Sequence, residues 1–451
     1  MRKRRVRTPW PLAIAALTIG IVLMASVVGL YLYQTNDSVF FRVQQVQAQL
    51  YAAANPQSGT LPTAVAGAPI AAAKTPVIDP ESGSADLAGG LPTPTGTPSP
   101  AATASPTTGP TATPSFTPTP SPSPTPLPSK AELTGFRWEQ QKFNNCGPAS
   151  LAVDLSFWGW TGTQDDTAAF MKPNRQDKNV SPIELYNYVS TIGFNAYIRN
   201  NGDVELVKRF IAAGYPVLIE KGLQCGPDEG TRCQGWFGHY SVFGAYDDSR
   251  KAFIIQDTFR GANTVMTYDE LMTLWRSFNY NYTVVFPQSA EREAQVVQLL
   301  GDAVDLDVNY KQALARAQAE TQNPDLKGQD LAFAWFNVGT NLHYMQDYAG
   351  AAQAYDKARE IGLPYRMLWY QFGPYRAYYF TGRFQDVIDL ASAAIKATPN
   401  PGLEEAYYWR GQAYEALGQY TEAIADYRTA LEKRPGYKLP TDGLARLGAA
   451  P

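Results

Sequence analysis

Residues 87–129 contain no Asp, Glu, Lys or Arg, and thirteen of the chain's 34 prolines fall between Pro92 and Pro128 among Thr and Ser. Such a segment cannot bury enough apolar surface to offset the entropy of ordering it. Folding must therefore happen on either side of it, which makes the chain multidomain. Frequent proline favours extended polyproline II, so a disordered but semi-rigid stalk is expected. The tract also accounts for a charged fraction of only 18% over 451 residues, against about 25% in ordinary soluble domains.

On the N-terminal side, residues 10–33 (WPLAIAALTIGIVLMASVVGLYLY) carry no charge. Their 24 residues exceed the ~20 a helix needs to cross the hydrocarbon core. Trp10, Tyr31 and Tyr33 sit at the two ends, at headgroup level. The rival reading, a cleaved signal peptide, calls for a shorter apolar core followed by a small-residue cleavage site. The length favours one uncleaved transmembrane anchor. The basic residues Arg2, Lys3, Arg4, Arg5 and Arg7 place segment 1–9 in the cytoplasm, with the bulk of the chain outside a single-pass cell-membrane anchor. Residues 34–130 read as Pro/Ser/Thr-rich linker with a short juxtamembrane helix at its start.

Beyond the basic heptapeptide the chain holds 33 basic and 41 acidic residues, which excludes the basic face that nucleic acid requires. Three Cys and two His exclude zinc-finger arrays and dense disulfide scaffolds. The spacing offers no metal site, and no Gly-rich loop followed by Lys-Ser/Thr points to a nucleotide. No cofactor is expected.

Residues 131–288 alternate between helical and extended patterns. Runs 216–220, 239–246 and 252–256 predict strands. Helices are predicted after Pro148 and over Ser181–Gly193, where Ser181, Pro182 and Glu184 form a start signal and Gly193 a stop. The order predicts an α+β domain. Residues 291–440 are helical and repetitive. Gly339, Leu342, Ala351, Tyr355 and Ala358 recur as Gly411, Tyr414, Ala423, Tyr427 and Ala430, 72 residues later. Tyr378, Ala391 and Ala394 fit a middle unit, and Gly301 with Ala313 a weaker first one, in which Glu320 departs from the pattern. This spacing resembles the tetratricopeptide repeat, an all-α array in which each unit buries its apolar face against neighbours. The array is expected to dock on the preceding domain and to bind a protein or peptide partner.

Cys225 and Cys233 lie in one Gly-rich loop and form a candidate disulfide in an oxidising exterior. That leaves Cys146, in FNNCGPASLAVDL. Pro148 marks a helix start, so the thiol stands near the positive end of a helix, where its pKa falls. A thiolate enzyme needs an imidazole. His343 falls inside a repeat helix and reads as a surface residue; His239 begins a strand in the same domain as Cys146. Asp257 ends the next strand, one hairpin away, in reach of the second imidazole nitrogen. Asp247 and Asp248 are alternatives, but DDSR reads as the turn.

Q-x-F-N-N-C-G-P-A, then G-H-Y on a strand, then a strand ending in Asp, resembles the papain-like family-39 cysteine peptidases of the bacteriocin-processing type, in their stand-alone form. The following YDELMTLWRSFNY resembles their last helix. The resemblance implies a papain-like peptidase fold, Cys146 as nucleophile, His239 as general base and acid, Asp257 as its orienting partner, and a Gln before the nucleophile as oxyanion donor. The local pattern selects Gln141; the six-residue offset of papain-like enzymes selects Gln140. No transporter domain follows, so leader peptides are not the implied substrate. The expected function is a membrane-anchored extracytoplasmic peptidase acting on a peptide or protein. The alternatives are an inactive peptidase-like binding scaffold and a thiol-based acyl or peptidyl transferase.

Overall fold

The apolar run at the N-terminus lies within one helix, α1 (Trp10–Thr35), followed by α2 (Asp37–Ala54). The computed structural model describes residues 10–54, 60–63, 126–225, 235–399 and 401–451. Among the described residues no helix is long and apolar enough to cross a membrane. The anchor expected over 10–33 therefore stands as a helix without support as a membrane span; the side chains of residues 10–17 lie outside the described residues, as does the basic segment 1–9. The linker reading of 34–130 also needs correction at its start. Phe40 and Gln44 of α2 are buried, and α2 packs against folded parts of the chain. Residues 64–125, the bulk of the expected stalk, lie outside the described residues.

The first folded domain opens with β1 (Lys130–Glu132), α3 (Cys146–Phe157), α4 (Gln164–Met171) and α5 (Pro182–Thr191). At the start of α5 the Ser181 N–H and hydroxyl both donate to the Glu184 carboxylate, at 2.8 and 3.0 Å. Gly193, at φ +82°, ends the turn that follows. The remaining elements are β2 (Phe194–Arg199), α6 (Val204–Ala212), β3 (Val217–Cys225), β4 (Gly235–Asp247), β5 (Ala252–Asp257), β6 (Gly261–Thr267), α7 (Tyr268–Trp275) and β7 (Tyr282–Pro287). They form one antiparallel sheet in the order β2-β7-β3-β4-β5-β6, with β1 against β4.

Successive side chains on a strand face opposite sides, and the sheet uses both. Val217, Ile219, Val284 and Phe286 pack with α6 and α7. Leu218, Tyr240, Val242 and Val285 pack with α3, α4 and α5. A bulge between Phe243 and Ala245 shifts the register of β4. A Cβ on Gly244 would lie 2.5 Å from the Phe136 ring, so glycine is required there.

The helical region follows: α8 (Ala290–Leu300), α9 (Leu306–Thr321), α10 (Gly328–Tyr344), α11 (Tyr348–Ile361), α12 (Gly373–Phe380), α13 (Phe384–Lys396), α14 (Glu404–Ala416), α15 (Tyr420–Lys433) and α16 (Lys438–Arg446). The sequence repeat has a direct physical cause. A Cβ on Gly339 would lie 2.7 Å from the Tyr355 ring, and one on Gly411 would lie 2.8 Å from Tyr427. Each glycine is the space into which the next helix presses its tyrosine. Tyr378, Ala391 and Ala394 of the middle unit are fully buried. Gly301 does not fit its expected role. It caps α8 at φ +56° instead of sitting at a helix crossing. Glu320 departs from the pattern because it faces the other domain, where it pairs with Arg276 at 3.5 Å.

The two regions share a core. Trp236 of β4 stacks on Phe278, and the two pack against Phe333 and Tyr370 of the helical region in tilted and edge-on contacts, at centroid separations of 5.8–5.9 Å. Asn279 and Asn341 exchange side-chain hydrogen bonds of 2.8 and 3.1 Å across the same junction. The expected docking is present. His343, expected on the surface, is buried at this junction. Burial and the charge of Arg376 pull its pKa down to about 3.

Candidate active site

Cys146 is the first residue of α3 and Pro148 the third. Proline is tolerated there because its missing N–H would have no helical acceptor. The turn into the helix needs Asn144 in the left-handed region, at φ 49°, which Asn adopts more readily than most residues. Lys172 ties this turn down, donating to the carbonyls of Asn144 and Phe143 at 2.5 and 3.4 Å. Gln164 of α4 holds the approach: its Oε1 accepts from Lys142 N and from Asn145 Nδ2, and its Nε2 donates to the Gln140 carbonyl. The thiol is thus presented on a helix terminus by a loop fixed from two sides.

His239 sits on β4 opposite Lys221 of β3, and Asp257 is the last residue of β5, the neighbouring strand. His239 Nε2 lies 3.0 Å from Asp257 Oδ1, and both side chains are buried. Asp257 is further fixed by the N–H groups of Phe259 and Arg260, at 2.9 and 2.8 Å, and by Ser241 Oγ at 3.1 Å. Burial pushes the pKa of this carboxylate up. The imidazole, the hydrogen bonds and nearby Lys221 hold its pKa well below the usual range.

The imidazole and thiol shift in opposite directions. Burial lowers the His239 pKa, but Asp257 and a hydrogen bond with Cys146 outweigh it, and the net shift is upward. Burial raises the Cys146 pKa, but the hydrogen bond and charge of His239, the Tyr240 N–H and Lys172 outweigh it, and the net shift is downward. With Nε2 given to Asp257, the other ring nitrogen serves the thiol. Both shifts favour the charged forms, thiolate and imidazolium.

The two glutamines separate. The Gln140 side chain is exposed, whereas Gln141 is half-buried. Gln141 N donates to the Thr258 carbonyl at 2.9 Å, and Thr258 Oγ1 donates to Gln141 Oε1 at 3.0 Å. With its oxygen so committed, the amide presents its N–H groups as the remaining partners for a ligand.

Asp247 and Asp248 stay out of the site. Asp247 accepts from Ser249 in the turn, and Asp248 pairs with Lys208 and Tyr268. Besides Lys172 and Gln164, sequence reasoning missed three further supporting residues. Ser241 lies two positions after His239 on the same strand, so alternation could have placed it on the same face. Thr258 follows Asp257 directly and carried no signal of its own. Lys221 is fully buried and reaches the site only through strand register. Cys225 is disulfide-bonded, while Cys233 lies outside the described residues.

Residues 133–285 match the family model described as the Peptidase_C39 like family. Residues 404–437 match the tetratricopeptide repeat. The chain thus carries a C39-like peptidase domain followed by a tetratricopeptide repeat region. No curated protein matches it. Among solved structures, the chain is similar to a C39-like peptidase from Bacillus anthracis. That match has 17% identity and a TM-score of 0.29, and it covers 36% of this chain and 98% of that one. It is also similar to a double-glycine-motif protease from an AMS/PCAT transporter, solved in complex with the leader peptide. Here the identity is 15% and the TM-score 0.25, with 35% of this chain and 95% of that one covered.

Proposed function

We propose that this chain is a cysteine peptidase acting through Cys146, His239 and Asp257. The observation that carries the reading is the buried 3.0 Å contact between His239 and Asp257, on an imidazole whose other partner is a thiol at a helix N-terminus. The Cys146 thiolate attacks the scissile carbonyl carbon, forming a C–S bond. The resulting oxyanion is met by the Gln141 side-chain amide and the Cys146 N–H. His239 gives its proton to the departing amine as the C–N bond breaks. It then takes a proton from water, which attacks the thioester and releases Cys146. Asp257 keeps the ring in the tautomer and orientation that both transfers need.

The helix over 10–33 is proposed as a membrane anchor, on its uncharged apolar length and the basic residues before it. A bonded Cys225 fits an oxidising, extracytoplasmic side, and Cys233 is its proposed partner. Exclusion of an added membrane-impermeant protease from the folded domains in intact cells would refute that orientation.

The decisive experiment treats the folded protein with a thiol-reactive peptide electrophile, with Cys146→Ala as control. Label confined to Cys146, with hydrolysis of a generic peptide lost in the variant, is the expected result. Equal labelling of both proteins refutes the peptidase. Acyl transfer to added amines outrunning hydrolysis would make it a transferase.

A further inference from the structure

Residues 60–63 (Thr-Leu-Pro-Thr) lie extended along the repeat region, almost 300 residues away in sequence. Thr60 forms an antiparallel bridge with Pro364, and Leu61 N donates to the Leu363 carbonyl at 2.9 Å. The Leu61 side chain is 4% exposed and belongs to the core of the array. Arg359, itself buried and held by Asp386 at 2.9 Å, donates to the Pro62 carbonyl at 2.8 Å and the Thr63 carbonyl at 3.2 Å. Main-chain hydrogen bonds around one buried side chain are the way proteins hold extended peptides. The proline suits this use, because its fixed φ matches an extended ligand and it has no N–H to leave unpaired.

The same segment reaches the candidate active site. Phe40 of α2 packs edge-on against Phe143, at a centroid distance of 6.0 Å, with Arg175 over its ring at 4.1 Å. Phe40, Phe143, Asn145 and Lys172 line a pocket of about 450 Å³ beside the nucleophile's loop. Farther along α2, the Tyr51 hydroxyl donates to the Lys396 carbonyl of the array at 2.6 Å.

We propose that the surface around Arg359 and Leu363 is a binding site for an extended Leu-Pro-Thr peptide, and that the chain's own residues 60–63 occupy it in cis, strapping α2 across the pocket beside Cys146. One anchor side chain and three main-chain bonds make a modest contact. Tethering fills the site, since a linked ligand acts at an effective concentration of about a millimolar. A peptide of the same chemistry supplied in trans displaces the strap and withdraws Phe40 from the pocket. Only the consequence for substrate access rests on the peptidase reading.

The test uses full-length protein and a fluorescent peptide of residues 57–66, read by anisotropy. Leu61→Glu expels the cis ligand, so the variant should bind the peptide at least tenfold more tightly than the wild type. Adding Arg359→Gln should remove that gain. Equal binding by wild type and Leu61→Glu, or binding indifferent to Arg359, overturns the proposal. Hydrogen exchange on the wild type guards against misfolded variants: saturating peptide should speed exchange over residues 37–54 and leave β4 unchanged. Exchange in α2 that ignores the peptide also overturns it, as does a wild-type dimer that peptide converts to monomer, since the strap would then pass between copies. None of these readouts uses peptidase activity, so a failed peptidase reading leaves them intact.

Discussion

Buried charge is handled differently in the two folded regions. In the helical array, Arg383 grips Asp356 through two hydrogen bonds of 2.6 and 3.0 Å, and Arg410 grips Asp426 through two of 2.7 and 2.8 Å. Each is a planar fork on a carboxylate, the strongest pairing such side chains make. In the peptidase domain, Lys221 Nζ, Glu220 Oε1 and both carboxylate oxygens of Asp154 are buried without a hydrogen bond among the described residues. Burial pushes the two acids well up and the lysine down. The array has such atoms too, Glu404 Oε2 and Tyr375 Oη among them, but its Arg–Asp forks use charge to fix one packing arrangement. The peptidase domain keeps unsatisfied polar groups beside its sheet, a cost that proteins tolerate mainly near sites of chemistry.

Substitutions can break or sharpen this contrast. The largest effect is expected at Asp257. Asp257→Asn keeps the shape but offers the wrong partner to His239, and should lower kcat roughly 10³–10⁴-fold. Steady-state cleavage of a peptide checks this, and a loss below tenfold would remove Asp257 from the machinery. Gln141→Ala should cost roughly 10²–10³ in kcat with little change in KM. Gln140→Ala, on an exposed side chain, should change neither, and the reverse ranking would reassign the oxyanion donor.

A pH measurement isolates the thiol. In the wild type, alkylation of Cys146 should rise at a pH below that of an ordinary cysteine, since the thiol pKa is lowered. Peptide cleavage should fall again as pH passes the raised pKa of His239, where the imidazolium proton needed by the leaving amine is lost. His239→Ala removes the leading influences that lower the thiol and leaves burial, which raises it. The alkylation limb then moves to higher pH, and the neutral-pH rate falls about tenfold per pH unit of that movement. An unmoved limb would separate Cys146 from His239. The smallest effect belongs to the array. Gly411→Ala sets a Cβ against a fully buried Tyr427. The clash costs roughly 1–3 kcal/mol, partly offset by the better helix propensity of alanine. A net loss of about 1 kcal/mol in urea unfolding is expected, and Gly339→Ala should match it.

The same contrast explains what the sequence made legible. The array could be read because its key contact, a glycine under the next helix's tyrosine, repeats at a fixed local spacing. Cys146 and Asp257 were found because each carries chemistry and marks an element boundary; His239, which lies inside β4 and not at its start, was found because it is the one histidine within residues 131–288. Ser241, Thr258 and Lys221 join the site through register and strand pairing, which no local pattern states. Gly301 misled because the same residue type also ends helices. The role of residues 37–54 and 60–63 was hidden for another reason: the partners of Phe40 and Leu61, Phe143 and the core of the array, lie far away in sequence.

Docking of residues 60–63 has a consequence for the Pro-rich tract beyond them. Thr63 is held by Arg359, while at the far end the Pro128 carbonyl accepts from Tyr246 and the Ser129 carbonyl from the Asp248 N–H. The two ends that flank residues 64–125 are therefore both held on the folded body. The reach of the peptidase-like domain from α1 is then set by Asn36, the single residue between α1 and α2, whatever the length of the tract. Doubling its length would cost only about 0.6 kcal/mol in loop closure. A change in the tract's length is accordingly expected to leave the candidate active site where it is.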